Sequence, residues 1–313
     1  MNQSKIMLAV LAAAFTLAGA ATAWAAPETI GLSQESLDHP WLATQRKQID
    51  AASKAAGIRL LATDGQGNVA TQIAGIEDMQ SKGIKLLMVQ AGKAEGLRQE
   101  LQSLRERGIP YMFVGKPIEN AGAITMVSGD NRALGVDAGQ FIVDTLTQKN
   151  GKGKGNIVIL EGIPGDETSL NRVGGATSVT GKYPDIKVVA TQPGDYRRPK
   201  AYAVMQNILQ AHPPGTLDMV FAANGEMALG AIQAIKESGR SKEIKVVGLD
   251  GQKEEFDAIR AGDEAATWLY PPAGTEGMAV ALKILKGEKV PPKIVLPTVR
   301  VTKENVDTVK PAF

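Results

Sequence analysis

Short apolar runs alternate with longer segments of helical period along most of the chain, and this alternation constrains the fold more than any other feature. The runs are rich in Val, Ile and Leu, which favours strands. Leu97, Leu101 and Leu104 give one intervening segment the apolar stripe of an amphipathic helix. Strands are predicted at residues 29–32, 59–63, 85–90, 111–114, 124–127, 156–160, 186–191, 219–222, 245–249 and 266–269. Helices are predicted at residues 40–56, 69–81, 94–107, 132–148, 171–183, 199–211, 226–238 and 254–261.

The second half of the chain repeats the scheme of the first half. Strands that alternate with helices imply parallel pairing through right-handed crossovers, so the sequence predicts two doubly wound α/β lobes. Ligands in such sheets bind at the carboxyl ends of the strands. The candidate binding segments therefore directly follow the strands, and they include residues 33–41, 128–131 and 161–166.

The first 25 residues have the pattern of a cleavable signal peptide. One positive charge, Lys5, precedes an uncharged apolar run at residues 6–19. Small residues follow, and Ala23 and Ala25 match the A-x-A cleavage pattern. The chain contains no cysteine, which a bacterial lipid anchor would need at the cleavage point. We therefore expect secretion to the periplasm without lipidation.

Charge and composition exclude several classes of function. The chain carries 35 Lys and Arg against 33 Asp and Glu, a balance that argues against a nucleic-acid or membrane-surface partner. Without cysteine, thiol catalysis and iron–sulfur chemistry are excluded. The two histidines, His39 and His212, lie in opposite halves, so no metal site is predicted. The serines Ser33, Ser128 and Ser169 lack a nucleophile-elbow context. We expect no catalytic residues and no cofactor.

A group of polar and aromatic residues near the predicted strand ends suggests a sugar site. Aromatic faces pack on the C–H face of a sugar ring, while Arg, Asn, Asp and Gln bond its hydroxyl groups. Taken singly, each aromatic could equally be a surface or core residue, and the arginine could be a solvated helix charge. The members are Trp41, Gln90, Arg172, Tyr196, Asn224 and Asp250.

Four stretches resemble one known family in their order and spacing: residues 204–213, 220–231, 246–251 and 285–290. From about Thr29 to Lys303 the chain is similar to the ribose-binding branch of type I periplasmic binding proteins, the receptors of ABC sugar importers. The resemblance implies ring stacking by Trp41 and Tyr196. It implies polar ligand contacts by Gln90, Arg172, Asn224 and Asp250.

The resemblance also implies how the two lobes are joined. Three crossovers would lie near residues 128–129, 270–271 and 297–298. The N-terminal lobe would then comprise residues 26–129 and 271–297, and the C-terminal lobe residues 130–270 and 298–313. The expected partners are a small carbohydrate and an inner-membrane ABC permease, and the protein is expected to be a monomer.

Several positions depart from the pattern of ribose binders. Gly115-Lys116 replaces an Asp-Arg pair, and His39 replaces an asparagine. Leu42 stands in place of a second aromatic residue, and Tyr270 in place of a glutamine. These four departures argue against ribose. If Asp250 alone opposed Lys116 and Arg172, the pocket would be positive and would suit a sugar acid. Because surface lysines are usually solvated, we favour a neutral sugar or polyol. The full predicted site is His39, Trp41, Leu42, Gln90, Lys116, Arg172, Tyr196, Asn224, Asp250 and Tyr270.

Two functions remain open at this point. The first is a binding protein that delivers a small carbohydrate to a permease. The second is a sensory receptor that presents a sugar or furanose signal to a membrane kinase or chemoreceptor. A transcription factor is disfavoured, because the first sixty residues hold a leader and a strand instead of a DNA-binding helix-turn-helix. An enzyme is disfavoured because no catalytic constellation is visible.

Overall fold

The computed structural model of the protein describes residues 28–92 and 94–313, so the predicted signal peptide lies outside the described residues. The strands are β1 (Thr29–Gln34), β2 (Arg59–Asp64), β3 (Leu86–Gln90), β4 (Tyr111–Val114), β5 (Met126–Gly129), β6 (Gly155–Glu161), β7 (Ile186–Pro193), β8 (Met219–Ala222), β9 (Lys245–Val247), β10 (Glu264–Leu269), β11 (Lys293–Leu296) and β12 (Val299–Thr302). The helices are α1 (Pro40–Ala55), α2 (Val69–Ser81), α3 (Ala94–Glu106), α4 (Asn131–Asn150), α5 (Glu167–Thr180), α6 (Arg198–Ala211), α7 (Gly225–Glu237), α8 (Lys253–Ala261) and α9 (Gly274–Leu285).

Within the described residues, the strands form two six-stranded sheets with the same internal order. The first sheet runs β2-β1-β3-β4-β5-β11 and the second runs β7-β6-β8-β9-β10-β12. All pairs are parallel except β10 with β12, which is antiparallel. The predicted doubly wound α/β fold with two lobes is confirmed.

Each sheet is buried on both faces, which explains why its strands read as continuous apolar runs. In β3, Leu86 and Met88 point into the core under α1 and α9. Leu87 and Val89 point into the opposite core under α2 and α3. In the second lobe, α4 packs with α5 on one face and α6 with α7 on the other. Helical layers on both faces leave the strand ends free to form a site.

Polar residues that follow the strands cap the helices that come next. The side chains of Asn68, Asp130, Asp166 and Asn224 accept backbone N–H bonds at the starts of α2, α4, α5 and α7. His39 does the same for α1, whose first residue is Pro40. A cap satisfies an N–H that the helix leaves unpaired. It also holds these polar side chains at the carboxyl edge of each sheet.

The chain passes between the two sheets three times. The passages follow β5, follow β10, and connect β11 with β12. The helix α9 and the strands β11 and β12 had no predicted counterpart. The strand β5 begins two residues later than predicted, and α5 begins at Glu167 instead of residue 171. Across the described residues, none of the helices is both long enough and apolar enough to span a membrane.

Candidate binding cleft between the lobes

A cavity of about 710 Å³ lies where the carboxyl edges of the two sheets face each other. Its walls come from both lobes, with residues 35–42 and Lys116 on one side and residues 195–200 on the other. Nine of the ten predicted site residues line it, and the exception is Gln90. The nine are His39, Trp41, Leu42, Lys116, Arg172, Tyr196, Asn224, Asp250 and Tyr270.

Arg172 on α5 is the centre of a buried polar cluster. Its guanidinium donates to Asn131 Oδ1 at 2.9 Å, to the carbonyl oxygen of Ala223 at 2.7 Å and to Asp250 Oδ1 at 3.0 Å. Burial opposes its charge, but the charge and hydrogen bond of Asp250, together with Tyr270 and Tyr196, outweigh that effect and raise the pKa of Arg172. Every donation goes to a fixed acceptor, so the guanidinium is held in one orientation.

Asp250 follows β9 in an uncommon backbone conformation. Its φ of +117° lies outside the region that residues with a side chain usually adopt. Besides Arg172, its carboxylate accepts a 3.4 Å bond from the backbone N–H of Gly225 at the start of α7. Strained backbone of this kind clusters at binding sites.

His39 and Asn224 meet across the cleft. His39 Nδ1 accepts from the backbone N–H of Trp41 at 3.2 Å, and its Nε2 lies 2.9 Å from Asn224 Nδ2. Asn224 Oδ1 is already used, because it accepts the Met227 N–H at 3.0 Å. Burial lowers the pKa of His39, which keeps the ring neutral. A neutral imidazole has one N–H, and because Nδ1 accepts from Trp41, that N–H lies on Nε2. His39 Nε2 and Asn224 Nδ2 are therefore both hydrogen-bond donors at the edge of the cavity.

Lys116 is buried in an ion cluster that the sequence did not predict. Its Nζ lies 2.8 Å from Glu35 Oε1 and 2.7 Å from Asp166 Oδ2. The Tyr196 hydroxyl donates to Asp166 Oδ1 at 2.9 Å. Burial works against the ammonium, yet Asp166 and Glu35 raise the pKa of Lys116. The expectation that Asp250 alone opposes Lys116 and Arg172 is therefore wrong.

Glu35, Asp166 and Asn131 are the residues that sequence reasoning missed. All three lie in the segments that follow strands, which were identified as candidates. The sequence did not indicate which residues in these segments belong to the site, because a carboxylate before a helix equally indicates a helix cap. Asp166 performs both roles, since Oδ1 also accepts the Ser169 N–H at 3.0 Å.

Gln90 supports the ion cluster from beneath and does not line the cavity. Its Oε1 accepts the backbone N–H of Glu35 at 2.9 Å, and its Nε2 donates to Glu35 Oε1 at 3.4 Å. The side chain is completely buried. A glutamine at the end of β3 was predicted to contact the ligand, but here its amide is already bonded to Glu35.

Tyr270 links both lobes behind the cavity. Its hydroxyl donates to the carbonyl oxygen of Gly115 at 3.0 Å and accepts from Asn131 Nδ2 at 3.1 Å. Its ring packs against Trp41 with centroids 5.7 Å apart, and Arg172 Cζ lies 4.6 Å from its centre. The indole N–H of Trp41 donates to the Tyr270 carbonyl oxygen at 2.9 Å. The hydrogen bonds of its hydroxyl and the packing of its ring thus both fix the position of the Tyr270 side chain.

Glycine at position 115 follows from the packing of Trp41. Gly115 has a φ of +81°, and a Cβ there would lie 2.4 Å from Trp41 Cη2 and 2.6 Å from Gln45 Nε2. An aspartate at this position would be excluded by strain and by overlap. The replacement of the Asp-Arg pair by Gly115-Lys116 thus accompanies a different packing of the cleft wall, in which Trp41 fills the space that a side chain at position 115 would need.

Comparison with known proteins gives consistent matches over most of the chain. Residues 30–289 match a family described as periplasmic binding protein domain. The xylitol-binding protein of Mycolicibacterium smegmatis is 34% identical over 299 residues, which cover 93% of this chain and 82% of that protein. The ribose import binding protein of Bacillus subtilis is 33% identical over 271 residues, covering 86% of this chain and 85% of that protein. Among solved structures, the fructose-binding periplasmic domain of a hybrid two-component system has a TM-score of 0.83 at 27% identity, covering 90% of this chain and 92% of that chain.

Proposed function

This chain belongs to the ribose-binding-like branch of the type I periplasmic sugar-binding proteins, and we propose that it captures a neutral sugar or polyol in the interlobe cleft and delivers it to an ABC permease. The relatives named for xylitol and for ribose import bind small neutral carbohydrates of similar size. The cleft between two lobes, with aromatic and hydrogen-bonding walls, supports the same class of ligand.

The observation that carries the proposal is the pairing of the cations around the cavity. Among the described residues that line it, each Lys or Arg has a carboxylate within 3.0 Å. An anionic ligand would have to displace one of these carboxylates or enter beside it, at a cost in Coulomb energy. A neutral ligand leaves every pair in place. The pairs are Lys116–Asp166, Arg172–Asp250, Arg197–Asp38, Arg198–Glu226 and Lys200–Asp195.

The uncharged groups of the cleft support a carbohydrate. Trp41, Tyr196 and Tyr270 provide aromatic faces for the C–H groups of a sugar. His39 and Asn224 present N–H donors that lie 2.9 Å apart, and a hydroxyl oxygen on the cavity side of this pair would accept from both. Hydroxyl groups that find such partners lose little on leaving water.

The family supports a proposal for the partner and the compartment. We propose that the mature protein is a periplasmic monomer without enzymatic activity that works with an inner-membrane permease. We propose residues 26–129 with 271–297 as one lobe and residues 130–270 with 298–313 as the other. Opening and closing of these lobes would admit the ligand and then enclose it.

A thermal-shift screen of the purified protein tests the ligand class. Pentoses, hexoses and four- to six-carbon polyols are compared with the corresponding sugar acids and sugar phosphates. A ligand at 100 times its Kd adds about 2.7 kcal/mol of stability, which raises the unfolding midpoint by several degrees. We expect neutral compounds to raise it. A response confined to acids or phosphates would contradict the proposal, and recovery of a converted compound would contradict the absence of catalysis.

A sensory role is the second candidate, because one structural neighbour is the fructose-binding periplasmic domain of a hybrid two-component system. Both roles use the same cleft, so they differ only in the partner. Uptake of labelled ligand by permease reconstituted with this protein supports delivery. A ligand-dependent signal in cells that lack uptake supports sensing.

A further inference from the structure

The contact between Lys116 and Asp166 joins the two lobes. Lys116 follows β4 of the first sheet, and Asp166 caps α5 beside the second sheet. Their side chains are 11% and 4% exposed, so the 2.7 Å pair is largely removed from solvent. Other interlobe ion pairs lie closer to water. In Arg98–Glu167 the exposed fractions are 43% and 23%, and in Arg197–Asp38 they are 59% and 50%.

We propose that Lys116 is a positioning residue, which holds the lobes closed by pairing with Asp166 and does not select the ligand by direct contact. This rests on the proposed function, because closure around a ligand gives the contact its purpose. Lys116 stands where ribose binders have the arginine of the Asp-Arg pair. The resemblance implies a sugar contact at this position, whereas we propose that Lys116 stabilises the closed arrangement of the lobes.

Lys116 has the geometry of a switch between two partners. Glu35 belongs to the same lobe as Lys116, so that 2.8 Å pair can persist when the lobes part. Asp166 would then keep its bonds from Ser169 and Tyr196 within its own lobe. Opening therefore breaks one ion pair, and both Lys116 and Asp166 keep hydrogen-bond partners within their own lobes. A contact of this kind adjusts the open–closed balance without preventing opening.

The two carboxylates also oppose each other in the closed arrangement. One ammonium faces both Glu35 and Asp166, and burial together with the negative charge of Asp166 raises the pKa of Glu35. Removing the Glu35 charge should thus leave closure unchanged or favour it. Removing the Asp166 charge should disfavour closure. Removal of the Glu35 charge and removal of the Asp166 charge are thus predicted to have different effects on closure, whereas a merely structural role of Lys116 would not distinguish its two partners.

The test measures the interlobe distance in ligand-free protein by spin labels. The chain has no cysteine, so Thr71→Cys on α2 and Gln233→Cys on α7, both at exposed positions, can be labelled specifically. We expect a closed fraction that falls in Lys116→Met and in Asp166→Asn, by about two- to tenfold in the closure equilibrium. Asparagine keeps an oxygen for the Ser169 and Tyr196 bonds. The exposed control Arg98→Gln should retain the wild-type closed fraction, and Glu35→Gln should retain or exceed it.

Ligand binding supplies the second readout, with xylitol and D-ribose as probes. A change in closure alone alters the affinity for both probes by the same factor, whereas lost ligand contacts alter them unequally. Equal closed fractions in wild type, Lys116→Met and Asp166→Asn would overturn the proposal, as would a wild type without a closed fraction or unequal affinity factors. If neither probe binds, ribose and xylitol are excluded as ligands while the screen of the other neutral sugars and polyols decides on the proposed function, and the distance measurement still decides on Lys116.

Discussion

The neutral state of His39 connects the binding cleft to pH. Burial lowers the pKa of His39 from its usual 6.5, with Lys116 and Arg172 adding to the effect and Asp250 and Glu226 opposing it. The folded protein thus binds its proton less readily than the unfolded chain. The contribution to stability is complete above pH 6.5 and is lost as the pH falls below it.

We therefore predict that ligand affinity and the free energy of unfolding both decrease as the pH falls below about 6.5. A protonated ring cannot accept from the Trp41 N–H, so it also loses the cap of α1. His39→Asn should flatten the pH dependence, because an asparagine oxygen can cap the helix without titrating. Calorimetric titrations at several pH values measure the slope. An identical slope in the variant would assign the pH dependence to other groups.

The Arg172 cluster should be the most sensitive part of the cleft. Asp250→Asn removes the charge that faces Arg172 while keeping the side-chain volume. The buried guanidinium then lacks its counter-charge, and we expect at least a tenfold loss of affinity with a lower unfolding midpoint. Arg197→Gln, at the exposed edge of the same cavity, serves as the control. Wild-type affinity in Asp250→Asn would place the ligand elsewhere.

Single residues could be assigned to the site only in combination. Taken singly, Trp41, Tyr196 and Arg172 each had a structural explanation, and they stood out as site residues only once the family resemblance was added. Asn131 did not, although it bridges Arg172 and Tyr270. The sequence says which segments reach the cleft. It does not say which carboxylate a lysine will meet across a gap between lobes.

The helix α8 and the strand β10 each place one buried carboxyl group beside Gly248. Glu255 and Glu264 are buried, and one oxygen of each lies within 2.5 Å of the place where a Cβ on Gly248 would be. In the described part of the chain, neither oxygen of Glu264 finds a hydrogen-bond donor. Burial and repulsion by Glu255 raise the pKa of Glu264 well above its usual 4.5. Burial and the negative charge of Asp250 raise the pKa of Glu255 to about 8. We therefore expect one proton to be shared between the two carboxyl groups.

The second lobe should accordingly be sensitive to alkali. A raised pKa in the folded state means that the stabilising contribution is present below pH 4.5 and decreases as the pH rises toward the folded pKa values. Glu264→Gln replaces the shared proton with a permanent amide donor. We expect its free energy of unfolding to decline less than that of wild type between about pH 6 and about pH 9. Urea titrations measure this, with the exposed Glu254→Gln as control. Parallel declines in all three proteins would contradict the shared proton.

Elements with strong periodicity were predictable and edge elements were not. The central strands β3, β4 and β8 are buried on both faces, so their sequences read as apolar runs. By contrast, β11 is only partly buried along its length and follows two prolines. A strand at a sheet edge is stabilised by pairing with its neighbour, here β5, so its own sequence needs only a weak preference for a strand.

At the scale of the whole molecule, the repeated sheet order explains why one cleft forms. Two sheets of the same order present their carboxyl edges to each other, and three chain passages connect them. The alternation in the sequence was sufficient to predict this architecture. The distance between the lobes could not be predicted, because it depends on pairs such as Lys116–Asp166 that form only when the lobes meet.

Closure around the ligand involves both lobes and therefore the molecule as a unit. The ligand would touch both lobes only in the closed state, so saturation should shift the population toward it and reduce the radius of gyration in solution scattering. Lys116→Met should start from a larger ligand-free radius and reach the wild-type value at saturation, since enough ligand compensates for a weakened interlobe contact. Asp250→Asn under the same conditions should stay open at ligand concentrations that saturate wild type. If bound and free protein have the same radius, the lobes do not close around the ligand, and the cleft works as a rigid pocket.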